Sequence, residues 1–151
     1  MDAAPSGPVL FAYDGSELAR FAIAEAGRQL TPGREALVLC VWQPADVGFA
    51  LPGELHLNAA RAPEVKEAAE QTAAHGASLA EQAGFRAESR EFEMAPTWKG
   101  IVAVADECDA SLIVLGSHDR SGLGGRLLGS VASAVSTHSC RSVLIVHRAR
   151  S

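Results

Sequence analysis

The chain has 151 residues, of which 48% are apolar, and its formal net charge is −5. An apolar fraction of this size argues against a disordered chain, and about 150 residues can bury roughly two thirds of the unfolded surface. We therefore expect a single domain over residues 1–151. The acidic balance does not favour nucleic acid or an anionic membrane as a partner. No run approaches the ~18 apolar residues of a membrane-spanning helix.

The N-terminus and the cysteines indicate the compartment and limit the chemistry. Met1 to Pro5 contains neither a basic stretch nor an apolar signal segment. Cys40, Cys108 and Cys140 are widely spaced and odd in number, which predicts small buried residues in a reduced cytoplasm. The histidines and cysteines show no metal-ligand spacing, and the chain has no Gly-x-Ser-x-Gly motif. We therefore expect neither a metal site nor a serine hydrolase.

The first part of the chain alternates buried strands with a helix. Val9 to Tyr13 is a continuous apolar run, which is typical of a strand covered on both faces. Ser16 follows an Asp-Gly turn and is a good helix cap. Apolar residues then recur at helical spacing until Pro32-Gly33. Ala36 to Trp42 predicts a second buried strand.

The middle of the chain begins with a long irregular segment. Pro44 to Pro63 has no clear periodicity and exceeds the usual connection length, which predicts a lid or a disordered loop. A long helix with a face of small residues follows from about Val65 and ends at Gly84. Its small residues predict close packing on the sheet. Arg86 to Met94 alternates charged and apolar residues, as an edge strand does.

The last part of the chain repeats the alternation. A short helix after Pro96 precedes a strand that ends at Leu115, and a second helix from Gly129 precedes the strand Val143–Val146. The apolar faces of these two helices are Trp98, Ile101, Val102, Ala105 and Cys108 in the first, and Val131, Ala134, Val135 and His138 in the second. Five strands alternating with four helices predict a doubly wound α/β fold, a parallel sheet with helices on both faces.

A glycine-rich loop joins the fourth strand to the last helix. Gly116 ends the strand, further glycines follow at 122, 124 and 125, and Gly129-Ser130 opens the helix. A helix start offers unpaired N–H groups and the positive end of its dipole to an anion, and Ser130 can cap the helix or donate its hydroxyl. The glycines allow close approach and positive φ. The pattern fits a phosphate cradle, and it equally fits a mobile connection whose glycines only make turns.

The spacing of this loop separates it from the commoner phosphate motifs. It lacks the lysine of the Walker pattern and the third glycine of the dinucleotide fingerprint. Gly116, Gly129 and Ser130 instead fit Gly-x2-Gly-x9-Gly-Ser/Thr, with Asp119 at the second glycine. This resembles the ATP-binding signature of the universal stress protein family. Four blocks extend the resemblance over essentially the whole chain: Leu10–Glu17, Val38–Trp42, Ala110–Ser117 and Leu127–Val131.

The resemblance implies a fold and a set of site residues. The family's strand order, 3-2-1-4-5, would place Asp14 and Gly116 at the switch point, where such sheets bind ligands. ATP or another adenine nucleotide would be held by Asp14 on the ribose, by the backbone of Val41 at the adenine, and at the phosphates by Gly116, His118, Asp119, Gly129, Ser130 and Val131. Asp119 either repels the β and γ phosphates or binds a Mg²⁺ that bridges them. Arg120 and Arg126 could neutralise phosphate charge.

Three functions remain open at this point. The first is an adenine-nucleotide-binding regulator of a stress response. The second is a dimeric interaction module that binds no nucleotide, which Asp119 favours. The third is an enzyme that uses ATP, which the Asp14-Gly15-Ser16 turn disfavours because it lacks a glycine-rich phosphate run. The short apolar strand Val143–Val146 would lie at a sheet edge, which predicts a homodimer formed across it.

Overall fold

The computed structural model of the chain describes residues 3–43, 58–117 and 128–148. All the strands in this part pair in parallel, in the order β3-β2-β1-β4-β5. The predicted doubly wound sheet and its strand order are therefore confirmed. In chain order the elements are β1 (Val9–Ala12), α1 (Glu17–Gln29), β2 (Glu35–Trp42), α2 (Asn58–Gln82), β3 (Arg86–Glu93), α3 (Thr97–Glu107), β4 (Leu112–Gly116), α4 (Ser130–His138) and β5 (Val143–Val146).

The hydrophobic clusters of the described residues cover both faces of the sheet. Successive side chains of a strand point to opposite faces, so Phe11 packs with α1 and α2 whereas Leu10 packs with α3 and α4. Ile23 is fully buried on the side of α1 and α2, and Ile101 and Val135 are fully buried on the side of α3 and α4. The sheet thus forms the middle of three layers. None of the helices in the described ranges is long and apolar enough to cross a membrane.

The start of α1 follows the sequence prediction closely. Ser16 is its N-cap, and the Ser16 hydroxyl accepts a hydrogen bond from the Ala19 N–H at 3.2 Å. The buried face of the helix consists of Ala19, Ala22, Ile23 and Ala26, as the spacing predicts. The cap fixes where α1 begins relative to β1, and with it the short turn of residues 13–16.

Helix α2 lies close to the sheet, as its small residues predict. A Cβ added to Gly76 would lie 2.7 Å from side-chain atoms of Tyr13 and of Val38, so only glycine fits there. The predicted irregular segment Pro44–Pro63 is wrong at its end, because α2 begins at Asn58 and contains Pro63. Proline disturbs a helix interior, which is why the sequence indicated a later start, but Ala62 packs against the buried cluster of β2 and α2. Residues 44–57 lie outside the described residues.

Several side chains of the two last helices are placed differently from the sequence prediction. In α3, Val104 is fully buried and Val102 only half-buried. In α4, Ala132 is buried, whereas His138 is exposed and stacks on Trp98 with ring centroids 4.3 Å apart. The buried face of each helix is therefore rotated slightly from the face that the apolar spacing indicated.

The cysteine prediction holds for one of the three residues. Cys40 is buried in β2, Cys108 is half-buried after α3, and Cys140 is exposed. Cys140 lies in the turn between α4 and β5, where the backbone runs over the surface. Burial raises the pKa of the Cys108 thiol above its usual value.

Candidate functional site

A cleft opens beyond the carboxyl ends of β1 and β4, where the strand order reverses. Its walls are formed by the ends of β1, β2 and β4 and by the first turns of α1, α3 and α4. Asp14, Val41, Gly116 and Val131, all named from the sequence, line this cleft. The fold therefore brings residues from four separate parts of the chain together.

Asp14 follows β1 at the mouth of the cleft and is exposed. Its Oδ1 accepts a hydrogen bond from the Ser16 N–H at 2.9 Å, across a turn in which Gly15 has a φ of 83°. No residue of the described ranges donates to Oδ2. One carboxylate oxygen thus shapes the turn, and the other remains available to a ligand.

Val41 presents a backbone edge to the cleft. The β1–β2 pairing ends at Ala12 and Leu39, and the Tyr13 N–H then donates to the Leu39 carbonyl at 2.9 Å. Peptide groups of alternate residues in a strand point to the same edge, so the N–H and C=O of Val41 point past the end of β1. No described residue pairs with them on that edge. The result is a free donor and a free acceptor side by side.

Gly116 is required for packing as well as lining the cleft. A Cβ at this position would lie 2.7 Å from Cγ of Leu18, so α1 approaches β4 only because residue 116 is glycine. The expected positive φ is not found at Gly116 or at Gly129, whose φ is −60°. The small size of Gly116 is what the fold uses, since α1 must pass close to the strand.

The first turn of α4 forms another wall. Gly129 is the N-cap, so the predicted capping by the Ser130 side chain is wrong: Ser130 is the first helical residue and is exposed. The first intrahelical bond to the cap joins the Ser133 N–H to the Gly129 carbonyl at 2.9 Å. The N–H groups of Ser130, Val131 and Ala132 precede it and have no carbonyl partner within the helix. They carry the positive end of the helix dipole.

Helix α3 supplies a wall that the sequence analysis did not predict. Thr97 and Ile101 line the cleft, and the Thr97 hydroxyl lies 3.4 Å from Nε2 of Gln43. The helix connects β3, at one sheet edge, to β4 beyond β1, so it crosses over β2 and β1. The strand order therefore contained the signal for this wall, but the residues after Pro96 carry no motif.

Tyr13, which follows β1, also lines the cleft and packs against α2. Its ring is buried, and its hydroxyl lies 2.9 Å from Nδ1 of His75. Burial raises the pKa of the Tyr13 hydroxyl above its usual value, while a hydrogen bond from Arg20 acts in the opposite direction. A protonated phenol can donate a hydrogen bond to Nδ1 of His75.

Part of the predicted phosphate loop lies outside the described residues. This applies to His118, Asp119, Arg120 and Arg126, and with them to the expected effect of Asp119 on phosphates or Mg²⁺. The described ends of the loop, Ser117 and Leu128, lie beside the cleft-lining Gly116 and the N-cap Gly129.

The fold and the cleft define a doubly wound α/β protein with a ligand-type cleft at its switch point. The model of the universal stress protein family matches residues 6–147, and the chain belongs to that family. Universal stress protein Rv2005c of Mycobacterium tuberculosis is 35% identical to it over 153 residues. That match covers 93% of this chain and 45% of the relative, so the chain spans about half the length of the relative.

Two solved structures share the fold over nearly the whole chain. A universal stress protein in complex with cAMP is 26% identical, with a TM-score of 0.63, and the match covers 94% of this chain and 98% of that one. The universal stress protein from Archaeoglobus fulgidus in complex with dAMP is 23% identical, with a TM-score of 0.57 and coverage of 93% and 98%. Both of these proteins bind an adenine nucleotide.

Proposed function

We propose that this chain binds adenine nucleotides in the cleft and acts as a regulator in a stress response. The observation that carries the proposal is that three groups without a hydrogen-bond partner in the described part of the chain border one cleft. These are the free carboxylate oxygen of Asp14, the unpaired peptide edge of Val41 and the first N–H groups of α4. A ribose, a base and a phosphate need these three kinds of partner.

The Val41 edge suits adenine better than guanine. The Watson–Crick edge of adenine offers an acceptor at N1 and a donor at N6, which complement a backbone N–H and C=O. Guanine offers a donor at N1 and an acceptor at O6. The N–H of Val41 would then face another donor, and its C=O would face another acceptor. Leaving buried polar groups unpaired costs more than a lost contact. Leu39 and Ile101 add apolar walls for the base.

The phosphate end of the proposed site joins α4 to the glycine-rich loop. The N–H groups at the start of α4, beside Gly129 and Ser130, suit an anion. His118 and Asp119 would complete this end if the loop folds as the resemblance to the ATP-binding signature implies, with Mg²⁺ an additional partner of Asp119. The cAMP and dAMP complexes of the two relatives support adenine as the base.

Mass spectrometry of the ligand released from freshly purified protein, followed by calorimetric titration of AMP, ADP and ATP, tests the proposal. We expect an adenine nucleotide in the released fraction and binding of one nucleotide per chain. A protein that carries none and binds none of the three contradicts the proposal. The interaction module without a nucleotide would then be the better account.

We further propose that residues 1–151 form one domain and that the protein is a homodimer through β5. The strand is the last of the sheet, and Val143, Leu144 and Ile145 are only half-buried within one chain. An apolar strand edge of this kind favours pairing with a second copy. Light scattering at micromolar concentration should give twice the mass of one chain, and a monomer would refute the dimer.

A further inference from the structure

The turn that carries Asp14 contains one peptide group that is held at both ends. This group joins Gly15 to Ser16. Its N–H donates to Oδ1 of Asp14 at 2.9 Å, and its carbonyl accepts from Nη2 of Arg20 at 3.2 Å. Because a peptide group is planar, the direction of its carbonyl also sets the direction of its N–H. Arg20 therefore influences where the Asp14 carboxylate lies.

Arg20 also acts on Tyr13, a residue that packs against α2. Its guanidinium opposes the rise in the pKa of the Tyr13 hydroxyl that burial causes, and that hydroxyl lies 2.9 Å from Nδ1 of His75. The Tyr13 ring is 3% exposed, and Gly76 of α2 packs against it so closely that a Cβ would lie 2.7 Å from Cδ2. The hydroxyl is thus a fixed point, because the ring cannot move without displacing α2.

We propose that Arg20 is a positioning residue for ribose recognition, which turns the free oxygen of Asp14 towards the hydroxyl groups of a bound nucleotide. The inference rests on the proposed function of the cleft. Arg20 is not among the residues that line the cleft, so it reaches the ligand through Asp14. The site should therefore prefer nucleotides with free 2′- and 3′-hydroxyls over analogues that lack them, and Arg20 should sustain that preference.

Calorimetric titration of two ligands on matched variants tests the inference. The ligands are AMP and 2′,3′-dideoxyadenosine monophosphate, which has the same base and phosphate without the hydroxyls. The variants are Arg20→Gln, Arg20→Lys and Arg28→Gln. Arg28 lies on the exposed side of the same helix and pairs with Glu25, so its replacement changes the net charge equally without touching the turn.

We expect Arg20→Gln to weaken AMP about five- to tenfold, because a charge-assisted hydrogen bond is lost, and to leave the dideoxy analogue within twofold. Arg20→Lys should recover part of the loss, and Arg28→Gln should change neither ligand. In an Asp14→Ala background, Arg20→Gln should cost nothing more, since both variants remove one interaction.

The outcomes separate this inference from the function on which it rests. Equal losses for the two ligands, or additive losses with Asp14→Ala, would overturn the positioning role while AMP binding by the wild type still supports the proposed function. A wild-type protein that binds neither ligand would overturn both. If Arg20→Gln fails to fold, judged by circular dichroism, Arg20→Lys decides: an unchanged preference for AMP over the dideoxy analogue refutes the inference.

Discussion

The polar groups considered at the two ends of the sheet differ in whether they have hydrogen-bond partners. At the amino ends of the strands, Arg141 donates to Asp106 at 3.0 Å, to Asp109 at 2.8 Å and to the Ala110 carbonyl at 3.0 Å. Asp109 also accepts from the Ser6 N–H at 3.1 Å through its second oxygen. At the carboxyl ends, one oxygen of Asp14 and the peptide edge of Val41 beyond β1 have no hydrogen-bond partner within residues 3–43, 58–117 and 128–148.

This contrast separates the stability of the molecule from its binding. We call Ser6, Gly7, Asp106, Asp109 and Arg141 the amino-end network. Arg141 has 16% of its side chain exposed, and a Cβ on Gly7 would lie 2.1 Å from the Cys108 carbonyl oxygen. A closed network of this kind holds the chain together, whereas groups left without partners are available to a ligand. Variants at one end should therefore change one property and spare the other.

The largest effect on ligand binding is expected at the carboxyl ends of the strands, where the cleft lies. Asp14→Ala should weaken AMP and ATP alike by about ten- to a hundredfold, because a charged acceptor for the ribose is lost. Asp14→Asn is the control, since its amide oxygen can still accept from the Ser16 N–H and keep the turn. Calorimetry gives both affinities, and unchanged binding of both nucleotides would remove Asp14 from the site.

A variant of the amino-end network should change the stability of the fold. Arg141→Gln is expected to lower the free energy of unfolding by about 2 kcal/mol, because two aspartates lose a charged donor. Affinity for AMP should stay the same. Urea unfolding with Arg28→Gln as a surface control measures the change, since an exposed pair contributes at most about 1 kcal/mol. Equal effects of the two variants would show that the amino-end network adds nothing beyond a surface ion pair.

Asp119 tests the phosphate part of the proposed site. Like charges about 6 Å apart repel by roughly 1–3 kcal/mol, so Asp119→Gly should strengthen ATP by about tenfold and leave AMP unchanged. Titrations of AMP and ATP with and without Mg²⁺ on both proteins provide the comparison. Weaker Mg²⁺-ATP binding in the variant would instead identify the carboxylate as a metal ligand.

The smallest effect is the pH dependence of the stability that the amino-end network contributes. Arg141, and then the Ser6 N–H, hold the pKa of Asp109 below its ordinary value. The unfolded chain therefore binds a proton more readily, and the stabilisation present above about pH 4 is lost as the pH falls through the folded-state pKa. Arg141→Gln should reduce this acid-dependent loss in unfolding experiments. An unchanged slope of stability against pH would exclude Asp109 as its source.

The sequence predicted the order of strands and helices but not every wall of the cleft. Continuous apolar runs at Val9 and Ala36 are typical of buried parallel strands, and the Asp-Gly-Ser turn placed Asp14 correctly after the first of them. The wall formed by Thr97 and Ile101 depends on where α3 crosses the sheet. That position is a tertiary property, and no local pattern encodes it.

The start of α2 and the start of α4 show why local signals were insufficient. Proline at 63 indicated a boundary, but packing of Ala62 on the sheet supports the helix beyond it. Ser130 has the chemistry of a cap, yet Gly129 takes the cap position because the backbone enters the helix one residue earlier. Boundaries of this kind depend on long-range packing, which a single sequence does not display.

The most direct test of the account is a calorimetric titration of the wild-type protein with AMP and, separately, with GMP. The two ligands share the ribose and the phosphate and differ in the edge that would face Val41. We predict binding of one AMP per chain and at least about tenfold weaker binding of GMP, because both polar groups of Val41 would be mismatched. Equal affinity for the two ligands, or no binding of AMP, would contradict the account.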